Sequence, residues 1–225
     1  MEAISGNSGT LMQVAASGGE AAAIPTPWMN PGLCDISPNR SELLVAGSAG
    51  VGYDFPLWIV PIPAGTPRRL SDLLAHAATW SPDGQQIVYA RGTDLFRANS
   101  DGSNSRKLRG LAGIPFAIRW SPNESVLRFT VQDPKTNSSS LWEMSAEGTE
   151  LHPLLANWNR PPDECCGEWT PNGKYFVFQA TRNGVTNIWA IPEKGALSPK
   201  RILHPVALTS GPMNFLVPAC TGQRR

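Results

Sequence analysis

The residues best equipped for chemistry in this chain are few and scattered. Two adjacent cysteines stand in the run Pro161-Pro162-Asp163-Glu164-Cys165-Cys166-Gly167. Neighbouring thiols can close a vicinal disulfide, touch a soft metal ion, or stay reduced with one side chain turned inward. The reduced pair is the expectation, since no C-x-x-C pair and no Cys/His cluster accompanies them to build a zinc site. The other cysteines, Cys34 and Cys220, read as strand or turn residues, and four in 225 residues make no disulfide framework. His76, His152 and His204 fall in repeat-end loops and strands, and the sequence pairs no nucleophile with them. No G-x-S-x-G elbow, H-E-x-x-H motif or phosphate-binding glycine loop occurs. The glycine-rich stretch 47–52 leads into Pro56 and a strand rather than a helix, so no dinucleotide site is implied. Residues 99–104 carry the oxygens of a calcium loop but lack its downstream Glu, and a turn is the simpler reading. The sequons at Asn39, Asn123 and Asn137 read as chance, two of them being turn residues. The expectation is a chain that is not an enzyme and holds no cofactor or metal.

The elements that carry these residues are announced by a repeat. Ile36-Ser37-Pro38-Asn39-Arg40 returns as Trp80-Ser81-Pro82-Asp83-Gly84, as Trp120-Ser121-Pro122-Asn123-Glu124 and as Trp169-Thr170-Pro171-Asn172-Gly173. A period of about 40–50 residues with strand-like content predicts propeller blades, because one small sheet cannot bury both faces without neighbours. After each turn comes an apolar run, such as Gln86-Ile87-Val88-Tyr89-Ala90, then a variable loop. An aromatic strand follows, such as Leu141-Trp142-Glu143-Met144 or Ile188-Trp189-Ala190-Ile191, then a turn ending in Gly and a short last strand. The predicted fold is all-β: a β-propeller of four-stranded antiparallel blades, with four complete copies and two partial flanking blades. The expected blades span 33–71, 76–109, 116–155 and 165–209, and the partial ones 10–24 and 212–225, within one domain of residues 1–225.

Within each copy the notable residues have local jobs. Pro82, Pro122 and Pro171 preset φ for a turn, Asp83 can bond its own backbone, and Gly84 and Gly173 supply positive φ. Six of the eight tryptophans (Trp58, Trp80, Trp120, Trp142, Trp169 and Trp189) fall at repeat-equivalent strand positions and are expected to pack between blades. The basic pairs Arg68-Arg69, Arg106-Lys107 and Lys200-Arg201 precede the last strand of a copy, where charge discourages edge-to-edge pairing. A formal net charge of +1 gives no bulk attraction to nucleic acid or anionic membrane. No apolar run is long enough to span a membrane, and Met1-Glu2-Ala3-Ile4-Ser5-Gly6 lacks the pattern of a signal peptide.

The strings Trp80-Ser81-Pro82-Asp83-Gly84-Gln85-Gln86-Ile87-Val88-Tyr89-Ala90 and Asn187-Ile188-Trp189-Ala190-Ile191 closely resemble the WD-like repeat of TolB-like β-propellers, and the resemblance runs from about Thr10 to the end. It implies the fold and little of the function. Such blades form a periplasmic interaction platform in TolB, gate a hydrolase in the prolyl oligopeptidase family, and follow a winged-helix DNA-binding domain in bacterial CadC-like regulators. Asp133-Pro134-Lys135-Thr136-Asn137-Ser138-Ser139-Ser140-Leu141-Trp142 and Glu164-Cys165-Cys166-Gly167 look most like the regulators. The first copy, with Ile36 for Trp and Arg40 for Gly, departs from the pattern.

The resemblance and the repeat together predict a non-catalytic binding or sensory module from a larger bacterial regulator, extracytoplasmic if that regulator is membrane-anchored. It would present a loop face to a protein or small ligand and bind no nucleic acid directly. The alternative is the gating propeller of a separated hydrolase. The Ser-Pro-Asp turns should mark the plain end of the blades. The loops 47–55, 132–139 and 156–164 should mark the binding end, with Phe116, Asp133, Lys135, Trp158 and Arg182 as candidates. The flanks 10–24 and 212–225 together offer about three strands where a blade needs four. An open or imperfectly closed ring that self-associates or melts early is therefore expected.

Overall fold

The computed structural model describes residues 9–15, 17–28, 30–47, 54–193 and 204–211. Each copy begins with a hairpin built by its own side chains. The Gln86 N–H donates to Ser81 Oγ at 2.9 Å, Ser81 Oγ donates to Asp83 Oδ1 at 2.5 Å, and the Gln85 N–H donates to the same oxygen at 3.0 Å. The same network recurs at Ser37–Asn39, Ser121–Asn123 and Thr170–Asn172, each at 2.8 Å. The fifth residue is left-handed in every copy: Arg40 at φ 61°, Gly84 at 72°, Glu124 at 60° and Gly173 at 66°. The hydrogen-bond network therefore holds the turn even where glycine is replaced, and the first copy, for all its departures, is a regular blade.

The turns organise four sheets. β3 (Gly32–Ile36), β4 (Glu42–Ala46), β5 (Phe55–Pro61) and β6 (Arg68–Ala75) form the first. β7 (Ala77–Trp80), β8 (Gln86–Arg91), β9 (Asp94–Asn99) and β10 (Arg106–Gly110) form the second. β11 (Ile114–Trp120), β12 (Val126–Gln132), β13 (Ser139–Ser145) and β14 (His152–Pro153) form the third, and β15 (Glu164–Trp169), β16 (Tyr175–Arg182), β17 (Val185–Pro192) and β18 (Val206–Ala207) the fourth. β1 (Leu11–Gln13) and β2 (Ala22–Ile24) make an antiparallel pair ahead of them. Among the described residues there is no helix. The fold is a β-propeller of four-stranded antiparallel blades. Residues 48–53 of the glycine-rich loop, the pair Lys200-Arg201 and the partial blade expected at 212–225 lie outside the described residues.

Three of the four inner strands are bulged. One extra residue sits between Leu33 and Asp35 in β3, between Phe116 and Arg119 in β11, and between Cys165 and Glu168 in β15. A bulge adds local twist and re-aims side chains. The outer strands begin with exposed charge, Arg68 and Arg69 in β6 and Arg106 and Lys107 in β10, as an edge requires.

The chain divides into two compact units, Met1–Gly92 with Phe96–Arg106, and Thr93–Leu95 with Lys107–Arg225. In the first, Leu44, Leu57, Ile59 and Leu70 share a core with Trp80, Ile87 and Tyr89, so the second blade's tryptophan seals onto the first blade. Leu11, Ile24 and Trp28 pack on Leu43, Val45 and Val60. In the second unit Trp169, Phe176 and Phe178 share a core with Leu141, Leu154 and Leu155. Trp80, Trp120 and Trp169 are 6%, 7% and 5% exposed, whereas Ile36, at the same register position, is 48% exposed.

One inter-blade contact of the second unit is polar. Arg128 on β12 is buried; its guanidinium pairs with Glu143 at 2.7 Å and with Glu193, and lies 4.8 Å over the Trp169 ring and 4.7 Å over that of Phe176. The charge is tolerated inside because two carboxylates and two ring faces replace its hydration.

Candidate binding site

All five candidate residues, Phe116, Asp133, Lys135, Trp158 and Arg182, belong to the second unit. Arg182 ends β16, where the two-residue turn Asn183-Gly184, at φ 53° and 75°, reverses the chain into β17. Positive φ at both turn positions is the hairpin geometry that Asn-Gly favours. The tight reversal holds the Arg182 guanidinium 4.5 Å over the Trp158 ring and 5.5 Å over that of Trp189. Trp158 in turn meets Trp189 edge-on at 4.9 Å and Phe178 at 5.8 Å. Among the described residues no carboxylate lies within ion-pair distance of Arg182. Its faces are used by aromatic rings, and among the described residues its N–H edge meets no acid.

The surrounding loops are tied together through Asp163. Ser139 Oγ donates to its carboxylate at 3.3 Å, and the Thr181 N–H donates to its carbonyl at 2.9 Å. Asn159, next to Trp158, donates to the Thr181 carbonyl at 2.8 Å. The loop after β12, the loop ahead of β15 and the end of β16 thus form one cross-linked surface.

Asp133 and Lys135 lie in the first of these loops, which also closes on itself. The Lys135 N–H donates to Asp133 Oδ1 at 2.8 Å, and that bond holds the Asp133 carboxyl below the usual carboxylate range. The Lys135 side chain is exposed. Phe116 lies elsewhere: it is a half-buried residue of β11 at the bulge, paired in register with Thr130. The structure brings Trp158 and Arg182 into contact and links their loop to that of Asp133 and Lys135.

Trp28 and Trp158 both stand outside the repeat in sequence, yet they play matching parts in their own units. Trp28 packs on Trp58 with centroids 4.5 Å apart, as Trp158 packs on Trp189. Gly47 leaves the room for this, because a Cβ there would come within 2.8 Å of both Trp28 and Trp58. In the first unit the loop end is tied by Asp54, whose carboxylate meets His76 Nδ1 at 2.7 Å and accepts the Gly92 N–H at 3.1 Å. That pairing gives His76 a structural partner.

Two features correct or extend the sequence reading. Cys165 and Cys166 are joined as a vicinal disulfide and are not a reduced pair. The bulge explains this: Cys166 is left-handed at φ 61°, which sets the two sulfurs side by side on a strand that would otherwise send them to opposite faces. Beside them, Glu164 is 2% exposed, and its Oε1 has no hydrogen-bond partner among the described residues. Burial pushes this carboxyl up to about 7, against a smaller opposing effect of the nearby Asn159 side chain.

No protein-family model and no curated protein sequence matches the chain. Solved structures do. A candidate TolB from Agrobacterium tumefaciens superposes with a TM-score of 0.73 at 16% identity, over 90% of this chain and 74% of that one. TolB from Acinetobacter baumannii gives 0.68 at 13%, over 91% of this chain and 50% of that one. A chain of a nidogen/laminin complex gives 0.63 at 12%, over 77% and 65%. The chain thus spans about three quarters of one TolB structure and half of the other. At these identities the likeness establishes the TolB-like propeller fold.

Proposed function

We propose that this chain is a non-catalytic binding module, a single propeller whose loop surface around Trp158 and Arg182 takes an acidic protein segment. The observation that carries the reading is the stacked guanidinium of Arg182, held by Trp158 and Trp189 in cross-linked loops and paired with no carboxylate among the described residues. A guanidinium with occupied faces offers its N–H edge in a fixed direction, which suits a carboxylate. Aromatic and arginine side chains are also the usual anchors of interfaces. Lys135 supplies a second cation on the neighbouring loop. The nidogen/laminin likeness supports a protein as partner. The wording of residues 133–142 and 164–167 supports a place in a bacterial transcriptional regulator of the CadC-like kind.

A glutamate-rich peptide titrated into the full chain, followed by tryptophan fluorescence, tests the reading. Combining Trp158→Ala with Arg182→Ala should weaken binding by roughly tenfold or more. Asp83→Ala with Asn172→Ala, at the turn ends of the blades, should leave it unchanged. Absence of binding, or the reverse pattern, overturns the site.

A further inference from the structure

We infer that Cys165–Cys166 is a reversible thiol site: a disulfide ring that opens to two adjacent thiols able to take a trivalent, thiophilic metalloid without disturbing the blade. The inference stands on a comparison between two strands of the same unit. β11 has the same one-residue bulge as β15, at the same distance before its terminal tryptophan. Its left-handed residue is Ala117 at φ 48°, the counterpart of Cys166 at 61°. The residues there are Phe116 and Ala117, which have no sulfur. The sheet therefore makes this backbone without a covalent bond, and the cysteines occupy a geometry already provided.

Three contacts fix the strand independently of the sulfurs. The Cys166 N–H donates to Thr130 Oγ1 on β12 at 3.2 Å. Gly167 lies under the Phe176 ring so closely that a Cβ would fall 2.1 Å from it. Glu168 is held by Arg119 at 2.5 Å. The disulfide also closes the shortest possible loop, with a sequence separation of 1. The chain entropy that such a link removes from the unfolded state grows with loop length, so this link contributes least to the fold. Both cysteines are partly exposed and within reach of an external thiol.

The chemistry balances with a small dithiol as reductant. Its thiolate attacks one sulfur, the Sγ–Sγ bond breaks, and the released thiolate takes a proton. The reductant's second thiol then displaces the other cysteine as a thiol, leaving a cyclic disulfide. Phenylarsine oxide, the probe, then forms two As–S bonds. The two thiol protons leave with its oxygen as water.

The test uses the full chain. Before reduction, its intact mass should be two hydrogens below that of the four-thiol form. After dithiothreitol and its removal, it should take up one phenylarsine oxide, with the melting temperature unchanged to within about 4 °C. Cys166→Ala, which copies Ala117, should fold and take up none. Four free thiols in the air-exposed native chain, loss of the fold on reduction, no uptake by the reduced chain, or failure of Cys166→Ala to fold would each overturn the inference.

Discussion

Arg119 on β11 donates from Nε to the carboxylate of Glu168 on β15 at 2.5 Å, and each residue stands one place before the tryptophan that ends its strand. The first unit has a related contact with one charged partner: Asp35, one place before Ile36, accepts from the Thr79 hydroxyl at 2.8 Å and from the Trp80 N–H at 2.9 Å. Within each unit, the position before the last residue of an inner strand joins two successive inner strands by a polar bond. Both partners of the ionic version are about a quarter exposed, which limits its strength. Arg119→Met should destabilise the chain by about 1–2 kcal/mol. A double-mutant cycle with Glu168→Gln, read by urea unfolding, should return a coupling of about 1 kcal/mol. Additive single effects would show that the pair is incidental.

Trp120→Ala and Trp169→Ala should each cost roughly 3–5 kcal/mol, as large-to-small changes in a packed core do. Equilibrium denaturation decides this. A loss below about 1 kcal/mol would mean that the indoles contribute surface and not core.

Arg128→Ala should cost about 3 kcal/mol, since it leaves the Glu143 and Glu193 carboxylates without their shared cation and bares two ring faces. Arg128→Lys keeps the charge and loses the planar stack, so it should recover only part of the loss. Full recovery by lysine would assign the contact to charge alone.

Glu164 makes stability depend on pH. Its folded pKa of about 7 lies above the ordinary carboxylate value, so the folded chain binds the extra proton between about pH 4.5 and pH 7. Stability is therefore fully present below that window and falls as pH rises through it, by roughly 3 kcal/mol in all. Denaturant midpoints at several pH values should show the decline. Glu164→Gln should remove it and be the more stable form at pH about 8. A midpoint that climbs between those limits, with glutamine making no difference, would contradict the burial of this carboxyl.

Arg40→Gly and Glu124→Gly should stabilise. Both residues hold positive φ where Gly84 and Gly173 do so without a Cβ. The relief of a left-handed side chain outweighs the added unfolded-state entropy by about 0.5–1 kcal/mol. Thermal melts of the two variants, singly and together, measure the gain. A fall in melting temperature would mean that the Arg and Glu side chains stabilise their turns.

The parts legible in the sequence are those whose physics is local. The Ser-Pro-Asp turns reveal themselves because their hydrogen bonds close within five residues. The terminal tryptophans reveal themselves by recurrence. Trp158 stands out as a departure from that recurrence, but its match with Trp28 is visible only once both are seen on Trp58 and Trp189. Arg128 passes for a solvent-facing strand residue, because its burial is created by Trp169 and Phe176 from the next blade. The Cys165–Cys166 bond depends on a bulge and a left-handed residue, and no adjacent-cysteine pattern reports either. Glu164 shifts for the same kind of reason: desolvation is a property of its surroundings.

The self-contained turns bear on the order of events during folding. Ser37 to Glu42, Ser81 to Gln86, Ser121 to Val126 and Thr170 to Tyr175 each close their hydrogen bonds without help from another blade. Hairpins of this kind form in about 1–10 μs, well ahead of contacts that must wait for distant segments to meet. Four nucleation points are thus spaced along the chain, while the Arg128 contacts with Trp169 and Phe176 belong to the late docking of finished sheets. Disrupting Asp83 should slow refolding with little change in unfolding rate, whereas disrupting Arg128 should speed unfolding and leave refolding nearly untouched.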